Sequence, residues 1–286
     1  MEPPHAEPAE PTESAEPPEP PARQRPAWPA WHAPVGFLCA TLLTLSLVLV
    51  IERIGLRSIL PGPAVVIFQA VLQDAVLVGT ALVFAARTAR PRAWHFGLGG
   101  APLERALRFA GRALLAYLAF LVVARVYEAV FDPSGEQRIV EALGADRGLG
   151  WLIAGGVLVV VLAPVAEELF FRGFFYGSLR GQLGAPGAAI ASSAVFALVH
   201  FTSAQTLSLL PLLGVLGLLF CFLYERTGSL YPCIALHALN NAVAYAGVGY
   251  TRSLEGGPLV GGLLGLAMVV VAVIVPALAR TPRTAT

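Results

Sequence analysis

The sequence predicts an all-α fold, a polytopic bundle of about eight transmembrane helices, and three observations carry that prediction. Hydrophobic residues make up 56% of the 286 residues, charged residues only 13%, and the mean hydropathy is +0.71. A soluble domain carries about 25% charge, so these charges are too few to coat a water-facing surface. The apolar residues are also gathered into runs of the length a bilayer demands, about 20 residues each. Finally, the net charge is +1 with no basic block, which removes the electrostatic footprint of a nucleic-acid binder.

The runs fall at 35–52, 62–86, 109–131, 150–171, 186–203, 207–224, 229–248 and 258–279. The second contains Gln69, Gln73 and Asp74, so one side of it must face protein or water. The seventh is the least apolar and suits a half-buried place in the bundle. Ahead of them, residues 1–34 are rich in Pro, Glu and Ala and have no apolar run to bury. That stretch reads as a disordered cytosolic tail rather than a signal peptide, and 35–286 as one integral membrane domain.

Arginine placement sets the orientation. The join between the second and third spans carries Arg87, Arg90, Arg92, Arg105 and Arg108 and is read as cytoplasmic. The next join, 132–148, holds Asp132, Glu136, Glu141 and Asp146 against Arg138 and Arg147, and suits the opposite side. Arg180, Arg226, Arg280 and Arg283 then fall inside, and both termini are expected in the cytoplasm. Arg53 and Arg57 are the exceptions to this scheme. The cysteines Cys39, Cys221 and Cys233 stand singly in apolar stretches and read as small buried hydrophobes.

An ionisable side chain inside a bilayer costs several kcal/mol and marks a functional site by default. Glu167 and Glu168 end the run VLVVVLAPVA, and Glu168 and Arg172 stand at i and i+4 in the favourable acid-first order. That pair neutralises itself. Successive helical residues point about 100° apart, so Glu167 is left without a local cation and is suited to proton transfer. On the next span Phe196 and His200 share a face, and further on His237 and Asn241 share another. Hydrolysis by a carboxylate–imidazole pair with an imidazole–amide oxyanion hole is one chemistry such a set offers. A metal held by Glu167, His200 and His237 is a second, and a transporter's proton relay is a third. Neither GxSxG nor HExxH is present. The small pair Gly173 and Gly177 has the spacing of a helix-packing notch.

The ordered triplet EExxxR (Glu167, Glu168, Arg172), FxxxH (Phe196, His200) and HxxxN (His237, Asn241) resembles the CPBP or Abi family of intramembrane proteases. That family includes the CAAX prenyl endopeptidases of the Ras-converting type. The matched core is 150–248, and Trp94–Leu98 is similar to the family's lead-in. The resemblance implies that Glu167 is the general base, that His200 helps hold the water, and that His237 and Asn241 form the oxyanion hole. Glu168 and Arg172 become orienting residues, and Phe196 packs beside the site.

Asn241 is a poor zinc ligand and a good amide donor, so no cofactor is expected; zinc on Glu167, His200 and His237 is the alternative. The implied substrate is a membrane-embedded or lipidated peptide. The Arg-only, Ala- and Pro-rich composition points to a bacterial inner membrane, where relatives are linked to bacteriocin processing or self-immunity. The rivals are a proton-coupled transporter, for which Asp74 is the best residue, and a non-catalytic scaffold.

Overall fold

The computed structural model describes residues 27–131, 142–201, 204–251 and 255–278, and no strand occurs among them. The order is α1 (His32–Arg53), α2 (Leu56–Ile59), α3 (Gly62–Ala86), α4 (Leu103–Phe131), α5 (Leu149–Val157), α6 (Ala163–Glu168), α7 (Gly177–Leu198), α8 (Leu210–Thr227), α9 (Tyr231–Thr251) and α10 (Gly257–Leu278). Two π-helical turns, Leu158–Leu162 and Leu169–Tyr176, join α5, α6 and α7 into one continuous run.

Six helical stretches are long and apolar enough to cross a bilayer. One of them, Leu149–Leu198, has 50 residues. At about 1.5 Å per residue it is more than twice as long as the hydrocarbon core is thick. It cannot be one span, and Gly184 (φ 68°, ψ 174°) breaks it. Only glycine enters that left-handed backbone region at no steric cost, and Pro186 then opens the second leg. The legs lie against each other, with Ser192 Oγ donating to the Phe171 carbonyl at 3.1 Å. With the hairpin counted as two legs and α9 added, all eight predicted spans are helical. The outward faces stay apolar, as in Leu38, Leu42 and Leu45 of α1 and Leu115, Val122 and Val126 of α4. The chain is an integral membrane protein.

The least apolar span, α9, sits centrally, against α4, α6, α8, α10 and the first π turn. The α9–α10 seam is its closest. A Cβ on Gly265 would stand 2.6 Å from the Ala242 Cβ, and one on Gly261 3.0 Å from the Ala242 carbonyl oxygen. The Arg-rich join packs at the end where α8 stops. Tyr224 donates to the Phe96 carbonyl at 3.1 Å, and the Leu230 amide to the Gly97 carbonyl at 3.0 Å. At the opposite end of α1, exposed Arg57 pairs with Glu52 at 2.7 Å.

Folded structure begins earlier than residue 35. Trp28 is buried, with ring centroids 5.1 Å from Phe96 and 5.9 Å from Phe174, and α1 starts at His32. The aromatic surface of Trp28 gives the end of the proline-rich stretch something to bury. Residues 1–26 of the expected tail lie outside the described residues, as do Asp132, Glu136, Arg138 and Glu141 of the acidic join. The Gly173–Gly177 notch is filled from within the chain. A Cβ on Gly173 would meet Phe96 at 3.2 Å, and one on Gly177 would meet Trp28 at 3.2 Å.

The α9–α10 seam yields a paired test. Gly265→Ala should cost about 1–3 kcal/mol of stability by overpacking, lowering the thermal midpoint of the helical circular-dichroism signal in detergent. Gly262→Ala, which meets nothing within 4 Å, should leave that midpoint unchanged or raise it slightly.

Candidate active site

Pro164 shapes the helix that carries the two acids. It has no N–H, and in an α-helix its ring strikes the carbonyl four residues earlier. The chain answers with a π turn just before it, in which the Ala163 amide bonds to Leu158, five residues back. The same spacing aims the Val159 carbonyl at Pro164, which cannot donate. Asn241 supplies the missing hydrogen: its Nδ2 donates to the Val159 oxygen at 2.9 Å. That bond orients the carboxamide and leaves its second N–H free for another acceptor.

Asn241 is the middle member of a stripe at four-residue spacing on α9. One turn on, Tyr245 donates to the Leu152 carbonyl at 2.6 Å. One turn back, the Nδ1–H of His237 meets Glu168 Oε1 at 2.8 Å. Three side chains thus bind α9 to the run that bears the acids. The Glu168 link was invisible to spacing, which pairs that acid with Arg172 alone. A third polar residue at the same spacing, Tyr245, was the signal that all of this face is engaged.

Glu168 and Arg172 are both wholly buried, and their 2.9 Å ion pair shares Oε1 with His237. Arg172 Nη2 also donates to the Gly217 carbonyl at 3.4 Å. The flat guanidinium is enclosed by aromatic rings: its Cζ lies 4.3 Å from the Phe196 centroid, 4.8 Å from Phe220 and 5.9 Å from Phe171. Rings facing a desolvated cation contribute about 2 kcal/mol or more each, which offsets part of the cost of removing Arg172 from water.

Glu167 points away from that pair. Its side chain is 15% exposed, and Oε2 stands 3.9 Å from His237 Nε2 with no hydrogen-bond partner among the described residues. Because Glu168 is ion-paired, it accepts from His237 Nδ1–H. The other nitrogen, Nε2, therefore carries a lone pair in the neutral ring and a proton in the imidazolium.

His200, half-exposed, engages the Phe196 carbonyl through Nδ1 at 2.7 Å, which leaves its Nε2 as an acceptor in the neutral form. The Phe196 ring lies between the two imidazoles, 4.9 Å from His200 and 5.8 Å from His237. Glu167, His237, Phe196 and His200 thus form one connected group, with Asn241 one turn along α9 from His237. On α3, Asp74 shares a helix face with Leu77 and Ala81, which both pack into the core. Its Oδ2 is buried with no hydrogen-bond partner among the described residues.

The hairpin brings the residues level. Glu167 precedes Gly184 by 17 residues and His200 follows it by 16, so both sit about 25 Å from the bend. Nearer the bend the first leg meets the end of α8: Tyr176 donates to Glu225 at 2.7 Å and Arg180 pairs with it at 2.6 Å. From Tyr176 inward to Glu167 is about 13 Å.

Among the described residues, no group of three or more His, Cys, Asp or Glu side chains is arranged to hold a metal ion. Glu167, His200 and His237 stand around the site without forming a ligand cage. Two of the four imidazole nitrogens are already committed, to Glu168 and to the Phe196 carbonyl.

Residues 149–243 match the family described as type II CAAX prenyl endopeptidase Rce1-like. That span contains all three motifs on which the resemblance rested. The chain is 25% identical over 148 residues to "Uncharacterized protein YyaK" of Bacillus subtilis (strain 168), covering 50% of this chain and 48% of that protein. It is 32% identical over 81 residues to "Putative membrane peptidase YdiL" of the same organism, covering 28% of this chain and 32% of that protein. The chain therefore spans about half or less of the length of these relatives. No solved structure matches it.

The ion pair makes a stability prediction. Arg172→Met strands the buried Glu168 carboxylate and should cost about 3–5 kcal/mol. The double variant Glu168→Leu with Arg172→Met leaves no uncompensated charge at the pair and should unfold at a higher temperature than Arg172→Met alone, read by thermal denaturation in detergent.

Proposed function

We propose that this protein is an intramembrane endopeptidase that hydrolyses a peptide bond with water activated by Glu167, either a CAAX-type protease or a related bacterial processing enzyme. The observation that carries this reading is the carboxylate of Glu167. It is deep in an apolar bundle, has no arginine paired with it among the described residues, and stands close to Nε2 of His237. A structural charge cluster would have paired it, as Glu168 is paired.

In the proposed reaction Glu167 accepts a proton from water while the water oxygen forms a bond to the scissile carbonyl carbon. The Nε2 lone pair of His200 accepts the water's other hydrogen and holds it in line. The electron pair of the C=O moves to oxygen, and the oxyanion takes hydrogen bonds from the free N–H of Asn241 and from Nε2–H of imidazolium His237. Glu168 orients that ring by accepting from Nδ1–H. When the intermediate collapses the C–N bond breaks, and the proton held by Glu167 passes to the leaving nitrogen. A new carboxyl terminus and a new amine result.

The proposed substrate is a membrane-embedded or lipidated peptide that enters from the Arg-rich end, and the positive-inside rule supports a cytoplasmic side for that end. A transporter calls for polar residues strung across the bilayer. Here Glu167 stands beside His237, one turn of α9 from Asn241, which supports a reaction site.

The test is cleavage of prenylated and unprenylated membrane-anchored peptides by the purified protein in proteoliposomes. Glu167→Gln should abolish turnover. Asn241→Ala should lower kcat by about 10²–10³-fold, the loss typical of removing one oxyanion donor. Unchanged turnover in Glu167→Gln would falsify its role as the base. Activity lost to a chelator and restored by zinc would transfer the reaction to the metal alternative on Glu167, His200 and His237.

A further inference from the structure

None of the three motifs includes a residue of α8, yet that helix forms a wall of the site. Phe220 is wholly buried there. Its ring centroid is 5.1 Å from that of His237 with only 24° between the planes, an offset stack. The same ring lies 4.8 Å from the Arg172 guanidinium. Its backbone is tied to α9 as well: Cys233, one turn before His237, donates its S–H to the Phe220 carbonyl at 3.3 Å. Helix α8 approaches the second leg closely, since a Cβ on Gly217 would stand 3.0 Å from Ser193. Phe220 is therefore held in place from both sides.

From this geometry we propose that Phe220 is a positioning residue that fixes the ring plane of His237. The argument concerns degrees of freedom. The bond from Nδ1 to Glu168 holds one ring nitrogen, and coupled changes in the two side-chain torsions still let the ring plane swing. Phe220 stacked on one face, with Phe196 edge-on at 82°, removes the swing. Nε2 is then directed at Glu167, 3.9 Å away. Phe220 also covers the Arg172–Glu168–His237 chain at both ends, because it touches the guanidinium and the imidazole together. The catalytic consequence rests on the function proposed above; the orientation of the ring does not.

The experiment uses the full chain in detergent with isotope-labelled histidine, the His237 signals being assigned by their absence in His237→Gln. Ring protons of a stacked imidazole are shifted upfield by the neighbouring ring current. That shift should be present in the wild type, lost in Phe220→Leu and kept in Phe220→Tyr. In the peptide-cleavage assay Phe220→Leu should lose about three- to tenfold in kcat, with KM changed less than about twofold. Phe220→Tyr should restore most of the loss. A thermal midpoint recorded for each variant separates a fall in kcat from a fall in folded protein.

An unshifted His237 signal in the wild type overturns the proposal without any variant. So does a signal unmoved in Phe220→Leu, or a kcat for Phe220→Tyr as low as that for Phe220→Leu. If the wild type cleaves no peptide, the function proposed above fails, and the histidine signals alone decide the orienting role.

Discussion

The ion pair between Glu168 and Arg172 lies where neither partner touches solvent, 2.9 Å apart on consecutive turns of one helix. Each charge would be costly alone in such a place, and partners crowded onto them offset part of the cost, although Glu168 Oε2 and Arg172 Nε have no hydrogen-bond partner among the described residues. Arg172 has a carboxylate, a backbone carbonyl and three aromatic rings. Glu168 has the guanidinium and an imidazole. These partners come from α7, α8 and α9 as well as from the first leg, so satisfying one pair of charges dictates how four elements converge. Glu168 Oε1, which serves Arg172 and His237 together, is where stability and the site's chemistry meet.

Position along the membrane normal is set by a different device. The hairpin bends at Gly184, and Glu167 and His200 are almost equidistant from the bend along its two legs. The π turns flanking α6 then set rotation. Each π turn admits one residue more than an α turn, which swings every later side chain by roughly 100°. Glu167 and Glu168 sit between two such turns, and their facing is an outcome of both. Pro164 makes the first of them necessary, and the carbonyl it leaves unpaired is the one that orients Asn241.

Much of this was legible in the sequence. The apolar runs located every span, because a bilayer admits few alternatives to a helix of about 20 residues. The i, i+4 spacing of Glu168 and Arg172 announced their pairing, and that left Glu167 unpaired. What spacing could not supply was contact across elements. It gave no means of joining Glu168 to His237, since those residues are far apart in the chain, and no reason to single out Phe220 among many buried phenylalanines. Composition set the end of the tail too late, because a single tryptophan outweighs several prolines once it finds Phe96 and Phe174.

The local character of the buried pair has a bearing on biosynthesis. Because Glu168 and Arg172 close on one another within a single helix, they are matched as soon as that helix winds, before later spans emerge from the ribosome. The segment can therefore enter lipid as an electrically neutral unit. Phe171 travels with it, Phe196 arrives on the second leg, and Phe220 follows with α8, so the charges gain their shelter in the order in which the chain is made.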